Sequence, residues 1–597
     1  MIWLHPGVLI IFGAFLIPLI RWKTAKKTIF VLLPVLAFFI LLMTSFGYFG
    51  SLPFVTWKVS VLGKELVFGR IDALSMVFAY VFVIAAICMN IYSLHVERDW
   101  EHVAAMLYVG STLGATFAGD LFTLYIFWET MAISSLFLVW FRRTKAAHDA
   151  GFRYLLWHIF GGACLLSGIV MHVINTGSTE FTNFLSYLGK GFDSIPYYLM
   201  LIGFMLNAAV PPLHAWLPDA YPEATVTGAV YMTAFTTKCA VYTLARAFPG
   251  AEVLMWLGAI MAMYGVVFAM IQNDGRRLLS YHIVSQVGYM VCGVGMGTYL
   301  ALNGAVAHAF CHILYKALLF MGMGAIIEIT GRSKLTDLGG LYKYMPMTFY
   351  LYMVGALSIS GLPLFSGFVS KTMTVYASAE LHQPIVWFLL EGATIGTFAC
   401  IALKLPWNVW FKERKIELTA KEPPKNMLVG MALMAFLCIF FGNYPGYHIL
   451  YGILPYPVEF EPYEPLRVVE TLEFFMFITL AFILFKNKFE GEDKIVLDLD
   501  WFGRVLGSRF ISFCEGSLMN FASFIDRKFS NMAKKIKMTF TNPEHIFGAN
   551  YGSMQVLNTK DTKINFKNQN TIKISTGGAL LIILIFMLFY LAIYLIF

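Results

Sequence analysis

Residues 307–320 read AHAFCHILYKALLF, and they lie inside an apolar run long enough to cross a bilayer. Within it stand His308, His312 and Lys316. A helical residue turns by about 100°, so side chains four apart drift by roughly 40° per step and lie along one face. The three ionisable groups therefore form a stripe inside a membrane helix, and the fold class turns on why they are there.

The composition outside this stretch agrees with a membrane setting. Of 597 residues, 59% are hydrophobic and 13% are charged, with a mean hydropathy of +0.70. Soluble domains carry roughly 25% charged residues, so the chain reads as an all-α polytopic membrane protein. The net charge of +8 does not point to nucleic acid, because the basic residues occupy short tracts between apolar runs, the pattern of cytoplasmic loops. Seven of the eight cysteines (Cys88, Cys164, Cys239, Cys292, Cys311, Cys400 and Cys438) fall in apolar segments, and none forms a CxxC pair. They read as small packing residues, with no cofactor, iron–sulfur cluster or zinc expected in this chain. Basic residues follow the first apolar run (Arg21, Lys23, Lys26, Lys27), so that run is expected to be an uncleaved span.

Runs of about 20 apolar residues predict about sixteen transmembrane helices, among them 103–118, 121–141, 226–247, 252–271, 346–378, 385–405 and a final span at 577–597. Basic loops at 21–27, 142–145, 276–277, 332–343, 412–415 and 486–494 fall on one side. The acidic loop with Glu459, Glu461 and Glu464 falls on the other. This asymmetry predicts cytoplasmic basic loops, both termini outside, and a location in the cytoplasmic membrane.

Two predicted spans contain helix breakers, Pro211-Pro212 in NAAVPPLHAWLPDAYPEA and Gly361-Leu362-Pro363 in SISGLPLFSGFVSK, about 150 residues apart. Broken helices at corresponding places in two halves point to a transporter built from repeats, with unwound backbone lining a polar cavity. A proline kink tolerated by neighbouring helices is the plainer alternative for either break alone. From 508 to 540 the pattern changes: Phe510, Cys514, Leu518, Phe521, Ile525, Phe529, Met532 and Ile536 recur at intervals of four and three. This predicts an amphipathic helix of roughly 45 Å, with a basic end suited to a membrane surface or an acidic partner. The organisation expected is N-terminal helices (1–100), a first repeat (101–250), a second repeat (251–410), further spans (411–500), the amphipathic helix and a connector (501–576), and a terminal anchor (577–597).

An ionisable residue in mid-span costs at least about 2.5 to 3.5 kcal/mol on insertion scales, so several in one chain require a function. Glu129 (FTLYIFWETMAISSLFLVW) and Lys238 (AVYMTAFTTKCAVYTLA) are central in their spans, Lys371 follows the second break, and Glu391 lies within 385–405. Any one of them alone reads equally well as an interhelical ion pair or hydrogen bond. An acid, lysines and histidines spread over five spans read as a relay, since buried lysine and histidine both exchange protons near neutrality. His308 and His312 also have the spacing of a metal pair, but no third ligand completes a set.

In order along residues 70–420, FWETMAISSLFLVWFRR, PPLHAWLPDAYPEATVTGAV, TTKCAVYTLAR, GRRLLSYHIVSQVGYM, HAFCHILYKALLF and GLPLFSGFVSK resemble the antiporter-like subunits shared by respiratory complex I, Mrp-type cation/proton antiporters (D-type) and membrane-bound hydrogenases. The resemblance implies two inverted five-helix repeats, each with a discontinuous helix, and a mid-membrane chain of charges that moves protons or exchanges sodium. It assigns Glu129 as an electrostatic gate and Lys238, His308, His312, Lys316 and Lys371 as carriers. It also implies partners: other antiporter-like and small membrane subunits, soluble iron–sulfur redox subunits, and lipid. This chain would itself perform no redox chemistry but would be a subunit of an ion-translocating oxidoreductase. The tail resembles the lateral helix and returning terminal span of the distal complex I subunit. TTKC and DLDWFGR look more like the Mrp D-type and hydrogenase branch.

Two positions depart from the family. Asn207 in FMLNAAVPPLHAW stands where a lysine is usual, and asparagine carries no proton. Arg276 replaces a common lysine and titrates too high to shuttle. Two other readings stay open at this stage: a structural subunit with an inactive N-terminal half-channel, and a stand-alone solute transporter.

Overall fold

The computed structural model describes residues 3–61, 63–413, 420–494 and 496–541. The chain forms two units, Met1–Val496 and Leu497–Phe597. In the first, helices α1 (Pro6–Ala14) and α2 (Lys23–Ser45) precede an antiparallel hairpin of β1 (Phe54–Val61) and β2 (Lys64–Ile71) and then α3 (Ala73–Tyr92). The hairpin corrects the all-α expectation: the chain is mostly helical. Alternating Val55, Trp57, Val59 and Val61 carried that signal, which is a strand period hidden beside a long helical run.

Two sets of helices follow. The first comprises α4 (Asp99–Phe117), α5 (Leu121–Trp140), α6 (Lys145–Thr176), α7 (Ile195–Asn207) and α8 (Trp216–Ala220), then α9 (Val226–Met232) and α10 (Thr236–Ala247). The second comprises α11 (Glu252–Met270), α12 (Gly275–Met296), α13 (Tyr299–Thr330), α14 (Pro346–Ser360), α15 (Ser366–Glu380) and α16 (Pro384–Thr397). A π-helical stretch, Phe398–Lys404, continues α16. The sets recur with an offset of about 150 residues, down to their end groups. Asp120 caps α5 by accepting from Phe122 N and Thr123 N at 2.9 Å, and Asp274 caps α12 by accepting from Arg277 N at 2.8 Å. Thr144 caps α6 and Thr298 caps α13 in the same way. Both long helices end at a left-handed glycine, Gly177 (φ 72°) and Gly331 (φ 68°), a conformation that only glycine adopts at little cost. Each cap is worth about 1 kcal/mol, and the shared set defines the same helix boundaries twice.

Helices α17 (Lys425–Phe440), α18 (Gly446–Gly452) and α19 (Pro465–Phe485) complete the first unit. Among the described residues, eight helices are long and apolar enough to cross a membrane. Of the other runs that the sequence suggests as spans, some are shorter or broken helices, such as Pro6–Leu19 and Lys425–Phe440, and others, such as α4 and α12, are long enough but less apolar. The run 577–597 and the connector before it lie outside the described residues. Large apolar side chains such as Phe160, Ile174, Phe388 and Leu484 are exposed, while Lys238, His308, His312 and Lys316 are fully buried. That inversion of soluble burial is the signature of a multi-pass membrane protein.

The second unit is helical over its described part: α20 (Asp500–Phe513), a π turn at Cys514–Leu518, and α21 (Met519–Thr541). This is the amphipathic helix expected from 508 to 540, and it begins earlier. Its three segments span roughly 60 Å at 1.5 Å per residue.

Candidate functional site

Three helix breaks organise the buried charges. After α7 the backbone turns through Ala209 (φ 57°) to Pro211-Pro212, and after α14 it turns through Gly361 (φ 83°) and Leu364 (φ 75°). A left-handed alanine and a left-handed leucine are costly conformations that persist only where the surroundings enforce them. Both breaks lie where Pro211, Pro212, Gly361 and Pro363 predict them. The third break is new. The apolar run 226–247 divides at 233–235 into α9 and α10, although it contains no proline and its one glycine, Gly228, lies inside α9.

Lys238 explains that division. It is fully buried, and its Nζ donates to Thr233 O at 2.6 Å and Thr237 Oγ1 at 3.0 Å. An unbroken helix would commit the Thr233 carbonyl to its own ladder; the break frees it for the ammonium. Lys371 repeats the device. From the second turn of α15 it reaches back across the break, and its Nζ donates to Ile359 O at 2.8 Å, near the end of α14, while standing 5.2 Å over the Tyr289 ring. Among the described residues neither lysine makes an ion pair with a carboxylate. Each ammonium keeps donor capacity beyond its carbonyl.

Lys316 lies between them in α13, fully buried, with Nζ unpartnered and 5.9 Å from the Phe320 ring centre. One turn and two turns before it stand His312 and His308, whose rings are 6.2 Å apart. His308 is tied down, with Nδ1 3.2 Å from Ser370 Oγ and Nε2 3.3 Å from Tyr315 Oη. Both nitrogens of His312 lack partners. Among the described residues no group of three His, Cys, Asp or Glu side chains is placed to hold a metal.

Glu391 lines a cavity of about 500 Å³ between α15, α16 and α19, together with Lys371, Thr394, Arg467 and Glu470. Arg467 is fixed there by Glu464 at 2.9 Å and by the faces of Tyr376 and Phe460, at 4.3 and 4.5 Å. The cavity runs from Lys371 to the acidic segment 459–464. Glu470 and Arg467 are additions to the site, and their spacing along a lipid-facing helix gave little sign of them.

The first set is arranged differently. Glu129 makes no ion pair with Lys238, and its Oε1 is buried without a partner against Gly162, where a β-carbon would collide with it. Asn207, the last residue of α7, is buried with both polar side-chain atoms unpartnered. His158 occupies in α6 the place that His312 occupies in α13. Its Nδ1 lies 2.9 Å from Tyr154 O and its Nε2 is unpartnered. Arg276 is buried and donates from Nη1 to Ala224 O at 3.0 Å. Of the residues proposed from sequence, Lys371 and Glu391 share a cavity and His308, His312 and Lys316 share a face. Lys238 lies within electrostatic reach of that face, acting on His308, His312 and Lys316, whereas Glu129 makes no ion pair with any of these lysines.

Comparison with known proteins agrees with this architecture. The family described as NADH:quinone oxidoreductase/Mrp antiporter, transmembrane, matches residues 118–396. An uncharacterised protein of Methanocaldococcus jannaschii is 32% identical over 346 residues, 55% of this chain and 71% of the relative. A Na(+)/H(+) antiporter subunit of Alkalihalophilus pseudofirmus is 30% identical over 344 residues, 55% of this chain and 69% of that one. In fold, the chain is similar to one from the membrane-bound sulfane sulfur reductase, an archaeal respiratory membrane complex, with a TM-score of 0.71 at 22% identity over 98% of this chain and 99% of that one. The chain therefore belongs to the family of antiporter-like membrane subunits shared by NADH:quinone oxidoreductases and Mrp antiporters.

Proposed function

We propose that this chain is the ion-translocating, antiporter-like subunit of a multi-subunit membrane complex, carrying protons, or exchanging them for sodium, along Lys238, His308, His312, Lys316 and Lys371. The observation that carries this reading is the set of three buried lysines with, among the described residues, no carboxylate in contact. Desolvating an ammonium costs several kcal/mol, and a purely structural role would be filled more cheaply by an ion pair or an apolar residue. At each break the lysine instead holds a single carbonyl and keeps protons to exchange. Glu391 and the cavity beyond Lys371 serve as the exit towards the acidic segment, and Glu129 acts as an electrostatic gate.

In this reading the two helix sets, 101–250 and 251–410, are repeats of inverted topology within about sixteen spans, with the basic loops in the cytoplasm. The driving reaction is redox chemistry on neighbouring subunits of a hydrogenase-like, sulfur-reducing or complex I-like assembly. Likeness along 98% of the chain, the amphipathic helix included, to a subunit of an archaeal respiratory complex supports that choice. The 30% identity to an antiporter subunit favours a second reading, a gradient-driven cation/proton exchanger. Isolating the tagged chain with its native neighbours, identifying them, and assaying iron on the same sample separates the two. Iron-bearing soluble subunits support the redox-driven pump, antiporter subunits without iron support the exchanger, and a chain recovered alone refutes both.

A further inference from the structure

Helices α12 and α13 are joined through Gly297 and Thr298 and run antiparallel, with Gly293 packed against Ala301 and Ala305, and Tyr289 5.6 Å from His308. Continuing that register towards the start of α12 brings Gln286 and then His282 opposite His312 and Lys316. Residues 282, 286 and 289 share one helical face by their spacing of four and three. A second polar stripe, on α12, therefore faces the stripe of His308, His312 and Lys316 on α13.

His282 is fully buried in the middle of the protein, and neither ring nitrogen has a partner. Gln286 Oε1, both nitrogens of His312 and Lys316 Nζ are likewise buried and unpartnered, although Gln286 Nε2 donates to Thr397 Oγ1 at 3.4 Å. That makes six orphaned polar atoms on two facing stripes. Each orphan is unfavourable if it stays dry, and polar interiors of this kind hold ordered water. The charged groups acting on His282 are Lys316 of α13, Lys371 of α15 and Lys404 of the π-helical stretch; no carboxylate is among them. Lys404 leads outwards: its Nζ donates to Met270 O and, at 3.1 Å, to Gln272 O, and its own carbonyl accepts from Asn408 at 2.8 Å. These contacts lie at the end of α12 that carries Arg276 and Arg277, the basic-loop side.

We propose that His282 is a further carrier of the relay, which takes protons from the basic-loop side past Lys404 and delivers them through a hydrated α12–α13 seam to Lys316. One imidazole nitrogen accepts a proton from water while the other releases its own to the water beside Gln286 and Lys316. The ring is thus restored by rotation or tautomer exchange with no net change in bonds. An imidazole relays protons and not sodium, so the ion entering this half of the chain is the proton. The inference rests on the relay reading and narrows it.

The test uses the intact complex in proteoliposomes, with protons moved per driver turnover followed by an internal pH dye for His282→Leu, His282→Gln and Lys316→Met. Because the His282 nitrogens make no protein hydrogen bond, leucine satisfies a packing role and glutamine satisfies a polar one; neither relays a proton. Both variants are expected to assemble, keep the driver reaction, and move at least tenfold fewer protons per turnover. Parental stoichiometry in either variant, beside a silent Lys316→Met, overturns the role of His282 and leaves the relay standing. Parental stoichiometry in Lys316→Met overturns the relay itself. If the leucine variant does not assemble, the glutamine variant alone decides.

Discussion

Replacing Lys371 by methionine separates an ion carrier from a structural bolt. Two opposed effects set the expected change in stability. The substitution removes one charge-assisted hydrogen bond, Nζ to Ile359 O at 2.8 Å, worth about 1.5 to 3 kcal/mol. It also removes a buried ammonium that no carboxylate touches and that Glu391, across the shared cavity, compensates only in part; its desolvation is unfavourable by several kcal/mol. Methionine fills nearly the same volume and reaches the Tyr289 ring as a thioether. Relief of desolvation outweighs the lost hydrogen bond, so Lys371→Met is expected to be as stable as the parent or more so by about 1 to 3 kcal/mol, while ion translocation falls at least a hundredfold. The two assays are thermal unfolding in detergent and ion flux of the reconstituted complex. A variant that unfolds earlier yet transports normally would mean that Lys371 fastens the second break and carries nothing, and the case from uncompensated lysines would fail at its best-defined site.

Three further outcomes follow from the same contacts. Gly162→Ala is expected to push the Glu129 carboxyl out of its present position and to alter translocation more than stability, read as transport rate against melting temperature. Asn207→Lys supplies a titratable group at the end of α7; more ions moved per turnover marks an N-terminal half-channel disabled at that position, and an unchanged number means that the residue alone does not disable it. Asp72 is the N-cap of α3, just outside the candidate span Ala73–Tyr92, and Arg246 binds both its oxygens at 2.8 Å. Burial pushes its carboxyl up, but the Arg246 charge and hydrogen bond outweigh this and hold it below the usual carboxylate range. Since its folded value lies below its unfolded value, this contribution is complete above the unfolded value near pH 4 and is lost as pH falls through the folded one. Asp72→Asn is expected to cost about 3 kcal/mol at neutral pH, because it strands a buried arginine, and less under strong acid, as checked by melting temperature against pH.

The site was only partly legible in the sequence. Lysines and histidines in apolar runs stand out because their insertion cost is large, so Lys238, Lys316, Lys371 and the His308–His312 pair were readable one by one. The breaks at Pro211-Pro212 and Gly361-Pro363 were readable because proline and glycine punctuate helices locally. The break before Lys238 was not, since its cause is tertiary: an ammonium with no other acceptor captures a carbonyl, and no residue type announces that. His282 escaped for a related reason. In LLSYHIVSQVGYM it stands at the start of its predicted span, 280–296, beside Ser280, Tyr281, Ser285 and Gln286, so the insertion cost that singles out mid-span groups did not mark it. Only the antiparallel register of α12 and α13 turns it towards Lys316. The hairpin at 54–71 was missed because its alternation is short and lies between two long helical runs.

The repeat itself gives a reason why Lys316 has no counterpart in the first set. Equivalent caps place Gly162 of α6 where α13 has Lys316, and place Glu129 of α5 one residue beyond the counterpart of His282. In the first set a carboxylate therefore meets a glycine that leaves room for it, whereas in the second a lysine faces an imidazole stripe. The first set has Asn207 where the family resemblance leads to the expectation of a lysine, and it holds orphaned polar atoms at Asn207, Glu129 and His158. If that half were only a structural remnant, apolar residues would replace these groups at a gain of about 1 to 3 kcal/mol each. Their presence fits a half that holds water and a negative charge and acts on its neighbour by field; in the proposed relay the carriers then lie on α10, α12, α13 and α15.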